Sequence, residues 1–469
     1  MQKLNLGRML VGAPLQTKDL IHQAISKPVG LAVFASDALS STAYATEEIL
    51  IILAMAAGIT WAGGGGIFGL SIPIAIAIAI LLVIVTLSYR QTIHAYPGGG
   101  GAYIVARDNL GEVPAQVAGA ALLTDYILTV AVSISSGVAQ ITSAIPGLLP
   151  YRVHLAVGVI LLITVVNLRG VKESGRIFAI PTYFFLVTMF ITLGVGLYRY
   201  FSGTLGTVTM DPAVIEHARE QLGELQPLVL FLVLRAFSSG CTALTGIEAI
   251  SNGITAFKEP RSKNAATTLI WMSSILIVLF LSITFIANQI QAMPVHTETV
   301  ISQIGRTVYG DGSIFYFLVL AGTALILLMA ANTSYADFPR LAALHAGDGF
   351  LPRQLTYRGS RLVFSWGIMV LAFTASLLVI IANASVTALI PLYAVGVFLS
   401  FTISQTGMVV RLWRSSKLKV GETIKSLETE ITYDPHWKRE IFISALGAVC
   451  TFVVMLVFAI TKFAAGAWF

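Results

Sequence analysis

Charge is what this chain has least of. Only 11% of its 469 residues are Asp, Glu, Lys or Arg, against about 25% in a soluble domain. That is too little charge to coat a water-facing surface of this size. Cysteine is nearly absent. Cys241 and Cys450 fall in different apolar segments, which excludes a disulfide framework and reads as two buried thiols. The histidines His22, His94, His154, His217, His296, His345 and His436 are scattered, with no metal-ligand spacing. The loops are short and hold no Ser/His/Asp order or nucleophile elbow, so an enzyme is not expected and no cofactor is implied. Pro97-Gly98-Gly99-Gly100-Gly101 lacks the Lys-Ser/Thr that completes a phosphate loop. It is expected instead to turn the chain into a short amphipathic helix over 102–110. The Gly63–Gly66 run is read as a flexible turn. The N-terminus, MQKLNLGRMLVGAPLQTKD, is polar and basic with no apolar h-region, so no cleavable signal is expected.

Apolar sequence fills the space that charge leaves. Hydrophobic residues make up 56% of the chain, and the mean hydropathy is +0.83. The apolar runs repeat along the whole length, each near the roughly 20 residues that cross a bilayer core as a helix. Closed barrels also span membranes, but their strands alternate apolar and polar residues. Here the runs are continuous, as in IPIAIAIAILLVIVTL (72–87). The pattern predicts eleven helical spans, near 28–57, 67–89, 114–143, 154–168, 177–201, 226–257, 265–288, 313–336, 362–382, 384–410 and 440–461. With the N-terminus in the cytoplasm, inside segments hold twenty-three Lys and Arg, from Lys3 and Arg8 to Lys438 and Arg439. Outside loops hold only Arg152, Arg199, Arg219 and Arg306. That asymmetry orients the chain, and it explains the net charge of +6 without a nucleic-acid partner. The charged stretch 415–438 is expected at the cytoplasmic membrane surface. After the last span the chain reads Lys462-Phe463-Ala464-Ala465-Gly466-Ala467-Trp468-Phe469. A Trp-Phe pair without a polar tail looks like the entrance to a further helix, so truncation before a twelfth span is expected, with a natural end outside the cell as the alternative.

Two spans, the first and the sixth, are not uniformly apolar. Span 1 contains Phe34-Ala35-Ser36-Asp37-Ala38-Leu39-Ser40-Ser41-Thr42-Ala43-Tyr44. Span 6 contains Phe237-Ser238-Ser239-Gly240-Cys241-Thr242-Ala243-Leu244-Thr245-Gly246-Ile247-Glu248. Both begin Phe-x-Ser and both carry hydroxyls, small residues and a carboxylate to mid-membrane. Ser and Thr can satisfy freed backbone groups, and Gly240 and Gly246 tolerate unusual dihedrals, so local unwinding is affordable. Five spans separate the two sites, which inverts the second repeat. That is the layout in which discontinuous helices build a transport site at the bilayer midplane. The plain alternative is a pair of Ser/Gly-rich packing faces.

Ionisable residues deep in the spans are few: Asp37, Asp125, Arg235 and Glu248, with Glu47 and Glu48 further along span 1. A central charge costs about 2.5–3.5 kcal/mol on insertion scales, so such residues line a pathway or pair. Asp125, Thr129 and Ser133 stand four apart and share one helix face. For the two hydroxyls, back-bonding to a carbonyl is the ordinary explanation; for Asp125 it is not available. Two carboxylates, several hydroxyls and unwound carbonyls suit a hard cation. A substrate carboxylate would be repelled by Asp37, whereas an amine or organic cation stays open. The aromatic lining is modest: Tyr44, Phe237 and Tyr393. Glu248, an acid in a low-dielectric helix, is the candidate for proton exchange. Arg235 lies thirteen residues before it, too far along the helix for a direct pair, and is assigned to an outer gate or a partner elsewhere.

At these residues the chain resembles the KimA-type potassium importers, members of the KUP family in the amino acid–polyamine–organocation superfamily. The similar stretches are ASDALSSTAYATEEILIILA (35–54), SYRQTIHAYPGGGGAYIVARDNLG (88–111), DYILTVAVSISSG (125–137), AFSSGCTALTGIEAISN (236–252) and IPLYAVGVF (390–398). The resemblance covers essentially the whole chain. It implies an all-α, polytopic, LeuT-like fold of two inverted five-helix repeats with broken first and sixth helices. It also implies symport of K⁺ with H⁺ by alternating access across the bacterial cell membrane. The implied cation-binding residues are Asp37, Tyr44, Asp125, Thr129, Ser133, Thr242 and Thr245, with Asp37 and Asp125 as the charged ligands of K⁺. Glu248 is the implied proton-coupling acid and Tyr393 the implied gate. Position 242 is Thr where relatives can have Ser. The implied division is a transport core at 1–411, a cytoplasmic connector at 412–439 and a flanking helix at 440–469. Relatives continue into a further helix and a soluble universal-stress-protein-like domain that mediates dimerisation and nucleotide regulation. Neither is found here, which leaves a homodimer open rather than implied. The competing expectation is a proton-coupled amino acid or polyamine permease; a non-transporting sensor would need a signalling domain that the sequence does not offer.

Overall fold

The computed structural model describes residues 24–58, 65–99, 101–169, 175–222, 225–359 and 363–462, with backbone alone at 65, 175–178, 221–222 and 393–394. The N-terminal segment, Gly63 and Gly64, Lys172, Arg361 and the terminal stretch 463–469 lie outside the described residues, as does the side chain of Tyr393. Gly65 and Gly66, expected in a flexible turn, instead open a short helix at Gly65–Phe68.

The chain folds as a helical bundle. Span 1 is split into α1 (Lys27–Ser40) and α2 (Ala45–Ala57), joined by a 3₁₀ turn at Ser41–Ala43. There follow α3 (Ser71–Ala95), the short α4 (Gly101–Asn109), α5 (Glu112–Ala144), α6 (Arg152–Leu168) and α7 (Gly175–Phe201). Span 6 is α8 (Leu230–Gly240), a 3₁₀ turn at Cys241–Leu244, and the short α9 (Ala249–Asn252). The remainder is α10 (Arg261–Gln289), α11 (Val300–Tyr309), α12 (Ile314–Gly347), α13 (Ser365–Ile381), α14 (Val386–Ser415) and α15 (Trp437–Lys462). Among the described residues ten spans are long and apolar enough to cross a membrane, and α13 is a shorter apolar helix. Each of the eleven expected spans therefore has its helix.

Burial sorts the helices. Span 1 is the most deeply buried of the ten, while the span ending in α6 and α15 are the most exposed. The core forms where α5 packs along α12 and α14, and where α3 packs along α10. The outward faces are apolar too. Ile76, Ile80, Val83 and Leu87 are exposed on α3 at spacings of four, three and four, one stripe of a helix. Such a stripe is stable against lipid and costly against water.

The expected short helix after Pro97 is α4, but it does not lie free on the surface. Tyr103, Val105, Ala106 and Asp108 are buried, and α4 packs on α5 and α14. The connector after α14 is also tied down. It forms a hairpin of β1 (Thr423–Lys425) and β2 (Glu430–Thr432), antiparallel with Ile424 opposite Ile431. Asp108 anchors it. Its carboxylate accepts from Tyr96 Oη at 2.8 Å, from the Glu428 amide at 3.3 Å and from Ser426 Oγ, and it pairs with buried Arg411 at 3.5 Å. Removing one member of a buried pair strands the other at a cost of about 3–5 kcal/mol. Asp108→Ala is therefore expected to lower the melting temperature of the purified protein and to open residues 416–436 to protease. An unchanged melting curve and digestion pattern would mean that the hairpin is held by other contacts.

Candidate functional site

The two interrupted helices meet inside the bundle. In span 1 the backbone leaves the α-helix at Ser40, and Tyr44, at φ −126° and ψ −19°, marks the step into α2. In span 6 Thr245 is extended, at φ −65° and ψ 151°, and Gly246 has φ +78°, a conformation open to glycine at little steric cost. The breaks touch. Ser41 Oγ lies 3.3 Å from the Ala243 carbonyl. A Cβ on Gly246 would fall 2.6 Å from the Ala38 nitrogen and 2.9 Å from the Asp37 carboxyl. Glycine at 246 is what lets span 6 pass directly over the acid of span 1.

Carboxylates converge on this contact. Asp37, Asp125 and Glu248 are all buried, and they lie within electrostatic reach of one another. None faces lipid. Glu248 Oε2 accepts from Ser400 Oγ at 3.2 Å and from Tyr89 Oη at 3.4 Å. Glu248 Oε1 and Asp125 Oδ1 are buried with no hydrogen-bond partner among the described residues. A buried acceptor left unmatched is costly, so two of them, on acids within electrostatic reach of each other, mark a place suited to a proton or a cation.

The hydroxyls around them have their protons committed. Thr242 Oγ1 donates to the Ser239 carbonyl at 2.8 Å, Thr245 Oγ1 to the Thr242 carbonyl at 2.9 Å, and Ser40 Oγ to the Asp37 carbonyl at 2.7 Å. Back-bonding is thus real here, and it does not remove these groups from the site. A hydroxyl whose proton is spent on a carbonyl keeps its lone pairs, and it presents oxygen to whatever stands in front of it. Tyr44 adjoins Thr245 across the gap between the breaks. Thr129 and Ser133 are buried on α5 one and two turns beyond Asp125. The arrangement is rich in oxygen acceptors and carboxyl groups, and the residues that form it are buried.

Comparison with known proteins fits this geometry. The family model described as amino acid permease matches residues 31–466. The curated protein named potassium transporter KimA, from Bacillus subtilis (strain 168), is 45% identical over 460 residues, spanning 98% of this chain and 70% of the relative. The chain belongs to the amino acid permease family, among the KimA-type transporters. It is an all-α, multi-pass membrane protein, and the family resemblance drawn from its motifs is borne out.

In this permease the expected site residues Asp37, Tyr44, Asp125, Thr129, Ser133, Thr242, Thr245 and Glu248 are all buried. Asp37, Tyr44, Thr242, Thr245 and Glu248 belong to the two interrupted spans, and Asp125, Thr129 and Ser133 to α5. Tyr393 lies on α14, and its side chain is outside the described residues. Arg235 meets no carboxylate among the described residues. Its Nη1 lies 3.5 Å from Met55 Sδ, and its Nε is buried without a partner. Two charged groups were missed by sequence reasoning. Asp337, on α12, adds a fourth carboxylate within reach of Asp37 and Glu248 and lies 3.9 Å from Arg340. Lys462, at the last turn of α15, is fully buried. Its Nζ donates to Ser239 Oγ at 2.6 Å, pinning α15 to the broken helix. Among the described residues no cluster of three His, Cys, Asp or Glu could hold a metal ion.

Proposed function

We propose that this permease is a secondary carrier importing K⁺ together with H⁺ by alternating access. The observation that carries the reading is the convergence of Asp37, Asp125 and Glu248 on the contact between the two helix breaks, with two carboxylate oxygens unpartnered there. Oxygens alone, some charged and some neutral, are what a hard cation takes in place of its water. The choice of K⁺ rests on the relative, whose name is potassium transporter KimA. Asp37, Tyr44, Asp125, Thr129, Ser133, Thr242 and Thr245 surround the ion, with Asp37 and Asp125 supplying the charge. Tyr393 acts as the gate. The site sits between two inverted five-helix repeats within a core of 1–411, and the Lys/Arg asymmetry puts the N-terminus in the cytoplasm. The family description, amino acid permease, supports a second reading, an amino acid or polyamine carrier. Asp37 beside Gly246 argues against a carboxylate there, because it stands where amide donors would be needed.

Glu248 carries the proton. One of its oxygens is held by Tyr89 and Ser400, which fixes the group, and the other is free to take and release H⁺. Glu248→Gln keeps the shape and removes the titration. Proteoliposomes loaded with a pH dye should show K⁺ entry with wild-type protein and an acid shift that accompanies it. The Gln variant should still exchange K⁺, while the acid shift and the response to an imposed pH gradient disappear. A full acid shift from the Gln variant would move the coupling role to another group. Wild-type entry blocked by unlabelled amines and indifferent to K⁺ would favour the amine carrier.

A further inference from the structure

Above Tyr44, at the end of the bundle away from the β hairpin, lies a cavity of about 70 Å³. Its wall is formed by α2, the last turns of α5, and the segments at 149–152, 295–299 and 384–387. A water needs only about 10–15 Å³ of such space, so the cavity has room for a monovalent ion and the waters that accompany it. Tyr44 is common to this cavity and to the site beneath it.

Two of the residues lining it each carry a buried polar atom with no hydrogen-bond partner among the described residues, Glu48 Oε2 and Ser135 Oγ. Both residues are only 1% exposed. The other oxygen of Glu48 is fixed by Thr387 Oγ1 at 2.7 Å, which holds the carboxylate in place. Glu47, one residue before, also lines the cavity and spends Oε2 on the Val300 amide at 3.2 Å. The charges nearby offset these two only in part: Lys462 lies within electrostatic reach of Glu48, and Arg152 lines the same cavity. Glu298 is matched by Arg306 at 2.9 Å. Burial, and then the charges of Arg152 and His217, hold His296 below the ordinary histidine range, so it is neutral at neutral pH. Lys462 feels Glu48 but gives its hydrogen bond to Ser239. Arg152 stands as the opposing cation among the lining residues.

We propose that this cavity is a staging site for a monovalent cation, held by Glu48 and Ser135 with Glu47 as a second charge, from which the ion passes Tyr44 into the deeper site. The proposal rests on the cation-carrier reading above. It gives the carrier a two-step entrance on one face only, the face that the distribution of Lys and Arg puts outside. A charge at the mouth raises the local cation concentration and the capture rate, and it has no part in release on the other face.

The test is sided K⁺ flux, measured in right-side-out and inside-out vesicles with K⁺ as the probe. Glu48→Gln, Glu47→Gln and Ser135→Ala are each compared with wild type. Loss of one partly screened carboxylate is expected to raise the half-saturating K⁺ from the outer face roughly three- to tenfold, with the smaller shift for Ser135→Ala. The half-saturating K⁺ from the inner face should stay where it is in all three. A misfolded variant would change both faces, and the remaining variants then carry the test. Wild-type protein that moves no K⁺ in either vesicle overturns the carrier reading itself. Wild-type flux with no outer-face shift in any folded variant overturns the staging site alone.

Discussion

K⁺ entry is expected to fall to background when Asp125 is replaced by Asn. Asp125 Oδ1 is buried and accepts no hydrogen bond among the described residues, so nothing in the fold depends on that oxygen being charged. Asn has the same shape and leaves α5 intact. What changes is the site. The negative charge goes, and an amide can turn N–H toward the ion. One unit charge at about 4 Å is worth roughly 4 kcal/mol at an effective dielectric constant of 20, and each 1.4 kcal/mol is tenfold in affinity. Even with half of that screened, about 2 kcal/mol remains, a loss of roughly thirtyfold. Asp37→Asn should act alike, since its carboxyl lies at the contact with Gly246. The measurement is initial K⁺ uptake into proteoliposomes, with monodisperse elution and an unchanged melting temperature as controls. Rescue of growth at low K⁺ in a cell lacking its own uptake systems is the companion assay. Wild-type uptake by both Asn variants would remove these carboxylates from the ion path.

Much of this architecture is legible in the sequence because a bilayer punishes exceptions. Every apolar run had to be a helix, and each of the eleven expected spans has one. The interruptions at Ser36–Tyr44 and Ser238–Glu248 stood out because hydroxyls and acids in mid-span have no cheap explanation other than a site. Asp37, Asp125 and Glu248 could be grouped on that ground before any distance was known. Less legible were groups whose setting in sequence looks ordinary. Asp337 falls just past the last apolar residues of its expected span, next to Phe338-Pro339-Arg340. The helix runs on to Gly347 and brings it inward. Lys462 reads as a charge after a span, yet it is buried against Ser239. Tyr89 and Ser400, which fix Glu248, are single polar residues in apolar helices and carry no signal of their own. Asp108 sits in a charged Arg107-Asp108-Asn109 stretch that looks solvent-facing, and only the packing of the hairpin makes it an anchor. Contacts between elements far apart in sequence are what periodicity cannot report.

Gly246 is the residue through which fold and site are joined, and substituting it should impair transport in proportion to the side chain added. Two costs add. At φ +78° a side chain is strained by about 1–2 kcal/mol. The added Cβ would also fall 2.6 Å from the Ala38 nitrogen and 2.9 Å from the Asp37 carboxyl, where real Cβ atoms essentially never come. Neither neighbour can swing away as the tip of a flexible side chain would. Ala38 is helix backbone, and Asp37 is set on the same turn. The breaks must therefore separate, and the contact between Ser41 and the Ala243 carbonyl goes with them. Asp37 would then be displaced relative to Thr242 and Thr245, and the ion would lose part of its shell. Gly246→Ala is expected to cut K⁺ uptake severalfold, and Gly246→Val to abolish it and lower the melting temperature. Gly147, with nothing within 4 Å of its would-be Cβ, is the control, and its Ala variant should transport as wild type does. Full uptake by Gly246→Ala would show that the two breaks need not touch during transport, and the convergence of acids at that contact would lose its meaning.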